Sequence, residues 1–230
     1  MGRKKHVRVA IIDNSINHEL YSPVGHWTQY LDEEWISFRA KKYEFPHLEE
    51  GFTHLILTGS ESSIMEREPW VDEEAEVVRQ AVQQGIAVLG SCYGHQLLAF
   101  ALLGENSIRR CENPEAGWIP ITIARDHGFF RPRKRAYVFS LHFDEVVNLP
   151  KTYEVLASTE KCHVQAFQLK ARPVWGLQIH PEIDIPTGKR LLEDLVHLNL
   201  DHNGLFKKAL ASPPRDSGLI SQIVRTFLEA

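Results

Sequence analysis

Apolar and polar positions alternate along the chain at lengths that separate strands from helices. Val7 to Ile12 is an apolar run broken only by Arg8 and followed by the polar loop Asp13 to Asn17, which reads as a first buried strand. A mixed helical segment then reaches Leu31, and Trp35 to Arg39 and Leu55 to Leu57 are the next strand candidates. From Pro69 to Gln84 the apolar residues Trp70, Ala75, Val78, Ala81 and Val82 recur close to helical spacing. Glu73, Glu74, Glu76 and Arg79 take the opposite face, so the pattern predicts an amphipathic helix. Pro69 near its start and Gly85 past its end are the punctuation such a helix needs. Ile86 to Leu89 is a further strand, and the apolar residues Leu97 to Leu103 open a further helix. Strands alternating with helices predict a parallel sheet covered on both faces.

After Gly104 the pattern changes. Trp118 to Ile123, Ala136 to Ser140, Tyr153 to Ala157, Val164 to Gln168 and Val174 to Ile179 are strand-like, with no long helix between them. That predicts antiparallel pairing through hairpins. Helical patterns return at Thr187 to Asn199 and Gly218 to Leu228, separated by the loop Ala211 to Pro214. The expectation is one α/β domain over residues 1–230, with a central mixed, mostly parallel sheet flanked by helices and an antiparallel hairpin region.

Charge narrows the partners. A formal net charge of −4 supplies no field for nucleic acid or an anionic membrane. Arg131 to Arg135 is the one basic run, and it reads as a solvated hairpin loop. Three cysteines without framework spacing fit a reducing compartment, which predicts a cytoplasmic protein. The basic start Met1 to His6 leads into a strand rather than a signal-peptide core, and no apolar stretch approaches the roughly 18 residues of a membrane span. The histidines show no metal-ligand spacing, and no phosphate-binding glycine loop is present, so neither metal nor cofactor is expected.

Candidate chemistry centres on Gly90-Ser91-Cys92-Tyr93-Gly94, where a buried strand turns directly into a helix. Glycines two places either side of Cys92 relieve the crowding of so tight a reversal and predict a nucleophile held on a strained, exposed tip. A helix beginning behind the sulfur favours the thiolate. The base predicted for it is His180 in His180-Pro181-Glu182. Residues two apart in an extended segment share a face, which would set the Glu182 carboxylate beside the imidazole. The backbone N–H of Tyr93 and one from Gly59 or Ser60 are the predicted oxyanion donors. Cys111 and Cys162 have no such surroundings and read as structural or surface thiols.

These residues resemble a known family, the class I, triad-type glutamine amidotransferases, and most closely the glutaminase domain of GMP synthetase and its free-standing relatives. The resemblance rests on Leu57-Thr58-Gly59, on Val88 to Ala99 around the elbow, and on Gly176 to Glu182. Weaker matches are Glu115-Ala116-Gly117-Trp118, and His142-Phe143-Asp144 with Leu149-Pro150. The family implies a three-layer α/β fold and hydrolysis of the glutamine side-chain amide through a γ-glutamyl thioester. It also implies ammonia passed to an acceptor site, and with a single domain expected here that acceptor would be a separate synthase subunit. Gln96, His142, Asp144, Glu115 and Gly117 are then the implied substrate-binding residues. Alternative readings are a stand-alone hydrolase of γ-glutamyl compounds and a non-enzymatic regulatory module. Ser60-Glu61-Ser62 stands where the family commonly has a second glycine and a proline. That departure predicts an oxyanion loop incomplete in the isolated chain, hence slow hydrolysis until a synthase binds.

Overall fold

The structure, a computed structural model, describes residues 6–199 and 201–230; the basic Met1 to Lys5 lies outside them. Nine strands form one sheet: β1 (Arg8–Asp13), β2 (Glu34–Arg39), β3 (His54–Leu57), β4 (Ala87–Ser91), β5 (Ile108–Ile123), β6 (Arg135–Val146), β7 (Tyr153–Ser158), β8 (Ala166–Leu169) and β9 (Val174–Leu177), in spatial order β2-β1-β3-β4-β9-β8-β7-β5-β6. The half from β2 to β9 is parallel, and the half from β9 to β6 is antiparallel. This is the mixed sheet the hydrophobic pattern predicts.

Alternation within the parallel strands divides the core in two. Ala10, Ile12, Leu55, Leu57 and Val88 face α2 (Val71–Gln84) and α3 (Tyr93–Leu103). Val9, Ile11, Ile56, Ala87 and Leu89 face α1 (Pro23–Thr28) and α6 (Ile220–Leu228). A third cluster lies under the long β5–β6 hairpin, where Phe139 and Trp118 meet α4 (Ile185–His197) and α5 (Asn203–Ala211). The basic residues 131–135 are exposed in the turn of that hairpin, as expected. No helix among the described residues is long and apolar enough to cross a membrane.

Three features depart from the pattern. Helix α5 occupies a stretch before the Ala211 to Pro214 loop to which the pattern assigns no element. It buries only Phe206 and Ala209, too few apolar positions to make a period. β5 and β6 are much longer than their apolar runs, and a register shift between Arg110 and Glu115 interrupts their pairing. Val164 and Ile179 lie outside the strands assigned to them, in buried loops.

One core residue ties stability to pH. Glu74 on α2, set by the pattern on the polar face, is instead fully buried, and burial pushes its carboxyl up to about 8, with Asn14 beside it pulling the other way. The folded chain therefore holds a proton that the unfolded chain has released over the interval between 4.5 and about 8. Stability tied to this group is complete below 4.5 and is lost as pH rises through about 8. Glu74→Gln should melt several degrees above the parent at pH 9 and show no gain at pH 4.5. Parallel melting curves at the two pH values would refute this assignment.

Candidate active site

Parallel register places the ends of three strands at one edge. Leu57 pairs with Gly90, and Ser91 pairs with Leu177. Cys92 follows directly, with its N–H donated to the Leu177 carbonyl at 2.7 Å. Its φ of 47° and ψ of −104° are a conformation that residues bearing a Cβ rarely adopt, so the predicted strain at the elbow is present. The tip is not exposed, however. Cys92 is only 6% accessible, and its Sγ lies 3.6 Å from the Leu141 carbonyl of the overlying hairpin. The strand-to-helix pattern carries no information about that cover.

The flanking glycines have measurable reasons. A Cβ on Gly90 would run into the Gly94 carbonyl, and one on Gly94 into the Leu57 carbonyl. Gly94 is helical, where alanine ordinarily gains up to about 1 kcal/mol. Here the obstacle is backbone in the neighbouring strand, and the collision outweighs propensity. We expect Gly94→Ala to destabilise the fold by about 3 kcal/mol, read by denaturant unfolding. A stabilised variant would contradict the packing described.

His180 and Glu182 do meet, by a route other than the one predicted. β9 ends at Leu177, and residues 180–183 close a turn, with the Ile183 N–H on the His180 carbonyl at 3.3 Å. This turn, rather than strand alternation, brings Glu182 Oε1 to 2.8 Å from His180 Nδ1. The His180 N–H is tied to the Phe139 carbonyl at 2.9 Å. Burial disfavours an imidazolium at His180, yet the charges and hydrogen bonds of Cys92 and Glu182 prevail and push its pKa up to about 10. That balance favours the protonated ring.

The Glu182 carboxylate has two further neighbours that no local sequence pattern announces. Ser91 Oγ lies 3.3 Å from each of its oxygens, and the Tyr21 hydroxyl donates to Oε1 at 3.1 Å from 161 residues away. Gly59 packs so closely here that a Cβ on it would stand 2.9 Å from His180 Cε1. Among the described residues, no acceptor takes the backbone N–H of Gly59, Ser60 or Tyr93.

The loop after Gly59 is extensively tethered. Glu61 accepts the N–H groups of Ile16 (3.0 Å) and Asn17 (3.2 Å), Ser60 Oγ accepts the Ser62 N–H at 3.0 Å, and Ser62 Oγ donates to Glu68 at 2.6 Å. Asn14 donates to the Thr58 hydroxyl and carbonyl from below.

The remaining predicted residues line a buried polar layer behind Leu141. Gln96 donates to the Asp144 carbonyl at 2.9 Å and to Gln178 Oε1 at 3.2 Å. His142 lies between that same carbonyl and Glu115, which also accepts from Gln165 and Thr159. The Asp144 carboxylate accepts from Ser63 and pairs with Arg110 at 3.2 Å. His142 and Asp144 lie within β6. Gly117, at φ 93°, backs onto Ala209, leaving 2.9 Å for any Cβ. None of these polar side chains hydrogen-bonds Cys92, His180 or Glu182 among the described residues. Cys162 is buried, and Cys111 lies 3.4 Å from His142 Nδ1; burial pushes both thiols up.

Comparison with known proteins decides the family. Residues 10–198 match the family described as glutamine amidotransferase class-I. The chain belongs to the class-I glutamine amidotransferases. Two archaeal relatives carry the name of one subunit of the glutamine-hydrolysing GMP synthase. That of Methanocaldococcus jannaschii is 31% identical over 116 residues, covering 50% of this chain and 61% of that protein. That of Methanothermobacter thermautotrophicus is 33% identical over 142 residues, covering 61% and 75%. The chain thus spans about three fifths of the first of these. A glutamine amidotransferase structure from Thermotoga maritima superposes with a TM-score of 0.74 at 24% identity, covering 99% of this chain and 100% of that one. The glutaminase domain of Trypanosoma brucei CTPS does so at 0.61 and 14% identity, covering 93% and 98%. These likenesses establish the three-layer class-I amidotransferase fold for this chain.

Proposed function

We propose that this amidotransferase hydrolyses the side-chain amide of glutamine through a γ-glutamyl thioester on Cys92 and releases ammonia to a separate synthase subunit. The observation that carries the reading is Cys92 on its strained turn with a His180 hydrogen-bonded to Glu182, whose charged form Cys92 and Glu182 both favour. Cys92 attacks the amide carbon as a thiolate, and the oxyanion is taken by the N–H of Tyr93 and of Gly59 or Ser60. His180 gives its proton to the departing ammonia, then takes one from the water that cleaves the thioester to glutamate. Atoms balance as glutamine plus water giving glutamate plus ammonia. Gln96, Glu115, Gly117, His142 and Asp144 shape the wall of the glutamine site, and relatives named for one subunit of a synthase support the partner.

A second reading, stand-alone hydrolysis of γ-glutamyl compounds, is favoured by one observation. The loop of Ser60, Glu61 and Ser62 is already tethered, which supports activity without a partner. Steady-state assays of the isolated chain on glutamine and on a panel of γ-glutamyl peptides separate the two. We expect the isolated chain to turn over glutamine slowly, and added synthase to raise the rate. Turnover of peptides with none of glutamine would replace the first reading with the second.

A further inference from the structure

We propose that Tyr21 is a positioning residue of the triad, its hydroxyl holding the Glu182 carboxylate in the orientation that His180 requires. Oε1 of Glu182 receives two donors at once, His180 Nδ1 at 2.8 Å and the Tyr21 hydroxyl at 3.1 Å. With Ser91 Oγ near both oxygens, rotation of the carboxylate would break several contacts together.

The tyrosine is itself held on every side. Its ring meets His180 edge-on, with centroids 6.1 Å apart at 89°, and stacks on His26 at 6.2 Å. Its hydroxyl is so near Gly59 that a Cβ there would stand 3.0 Å away. One ring therefore touches the acid, the base and the loop proposed to bind the oxyanion. Burial, reinforced by the charges of Glu182 and Cys92, pushes the hydroxyl well above its ordinary range, so it remains a donor at any working pH. Tyr21 also forms part of a pocket of about 160 Å³ lined by His18, His26, Thr187 and Arg190, and so stands between that pocket and the triad.

The test is a double-mutant cycle of Tyr21→Phe and Glu182→Gln, because Phe removes only the hydroxyl and keeps the ring packing. The inference rests on the proposed reaction for its first readout, turnover of glutamine by the full chain. Tyr21→Phe should lower kcat about tenfold with KM within about twofold, and should cost nothing further in the Glu182→Gln background. The second readout is the rate of Cys92 alkylation by iodoacetamide, followed by peptide mapping, which requires no glutamine chemistry. It should fall in Tyr21→Phe and again show no added loss in the double variant. Equal proportional losses in both backgrounds, or a Tyr21→Phe chain with the parent's kcat and alkylation rate, would overturn the role. Absence of glutamine turnover in the parent, with the alkylation cycle still coupled, would sink the proposed reaction and leave the role of Tyr21 standing.

Discussion

Cys92→Ala should lower glutamine turnover on the order of 10⁶-fold while leaving the melting temperature within a few degrees of the parent. Loss of the nucleophile of a triad costs about that much, because base and orienter have nothing left to activate. Stability should change little despite the burial of the sulfur. Alanine keeps the Cβ that strains the backbone at φ 47°, and only one buried atom is removed. Turnover retained in a protein free of parent contamination would end the assignment of Cys92. A glutamine-analogue electrophile should label Cys92 ahead of Cys111 and Cys162, whose thiols burial holds protonated.

His180→Ala should be about as severe as the loss of Cys92, and Glu182→Gln about 100-fold milder. In the proposed reaction the histidine moves the proton, whereas the carboxylate fixes the ring and steadies its charge. A glutamine at 182 still fills the site, but it turns an NH₂ toward one of the three donors that converge there: His180, Tyr21 or Ser91. The pH dependence follows the same logic. His180 is raised above its unfolded value, so its contribution to stability is complete below about 6.5 and is lost as pH rises through about 10. Steady-state kinetics of the two variants, with melting curves across that interval, check both statements. Equal kinetic losses would give the orienting role to another group.

The sequence reveals the site wherever a constraint is local. Two glycines around Cys92, an apolar strand before it and an apolar helix after it are enough to predict the elbow, and His180-Pro181-Glu182 marks the paired residues, although a turn rather than strand alternation joins them. Tyr21 and the Leu141 carbonyl are invisible by the same reasoning, since each reaches the site across the fold. Glu61 is a further case: it departs from the family's usual residues, yet its carboxylate finds two backbone N–H groups on another loop. In the parallel half β1, β3, β4 and β9 were legible because buried strands are nearly continuous apolar runs. The full length of the β5–β6 hairpin was not, because its far ends lack an apolar run: Arg109, Arg110, Glu112 and Asn113 are exposed, while the polar His142, Asp144 and Glu145 opposite are buried.

The position of β9 has a consequence for the order in which this protein is assembled. It is the last strand to be synthesised, yet it lies in the middle of the sheet, between β4 and β8. During synthesis the parallel half can collect around β1, β3 and β4, and Cys92 is in place long before its base exists. The two halves become one sheet only when a strand more than eighty residues downstream inserts between them, a non-local closure that is intrinsically slow. Because the turn that follows that strand carries His180 and Glu182, the proposed reactive centre forms together with the final closure of the core. An incompletely folded chain therefore holds a cysteine without the base needed to use it.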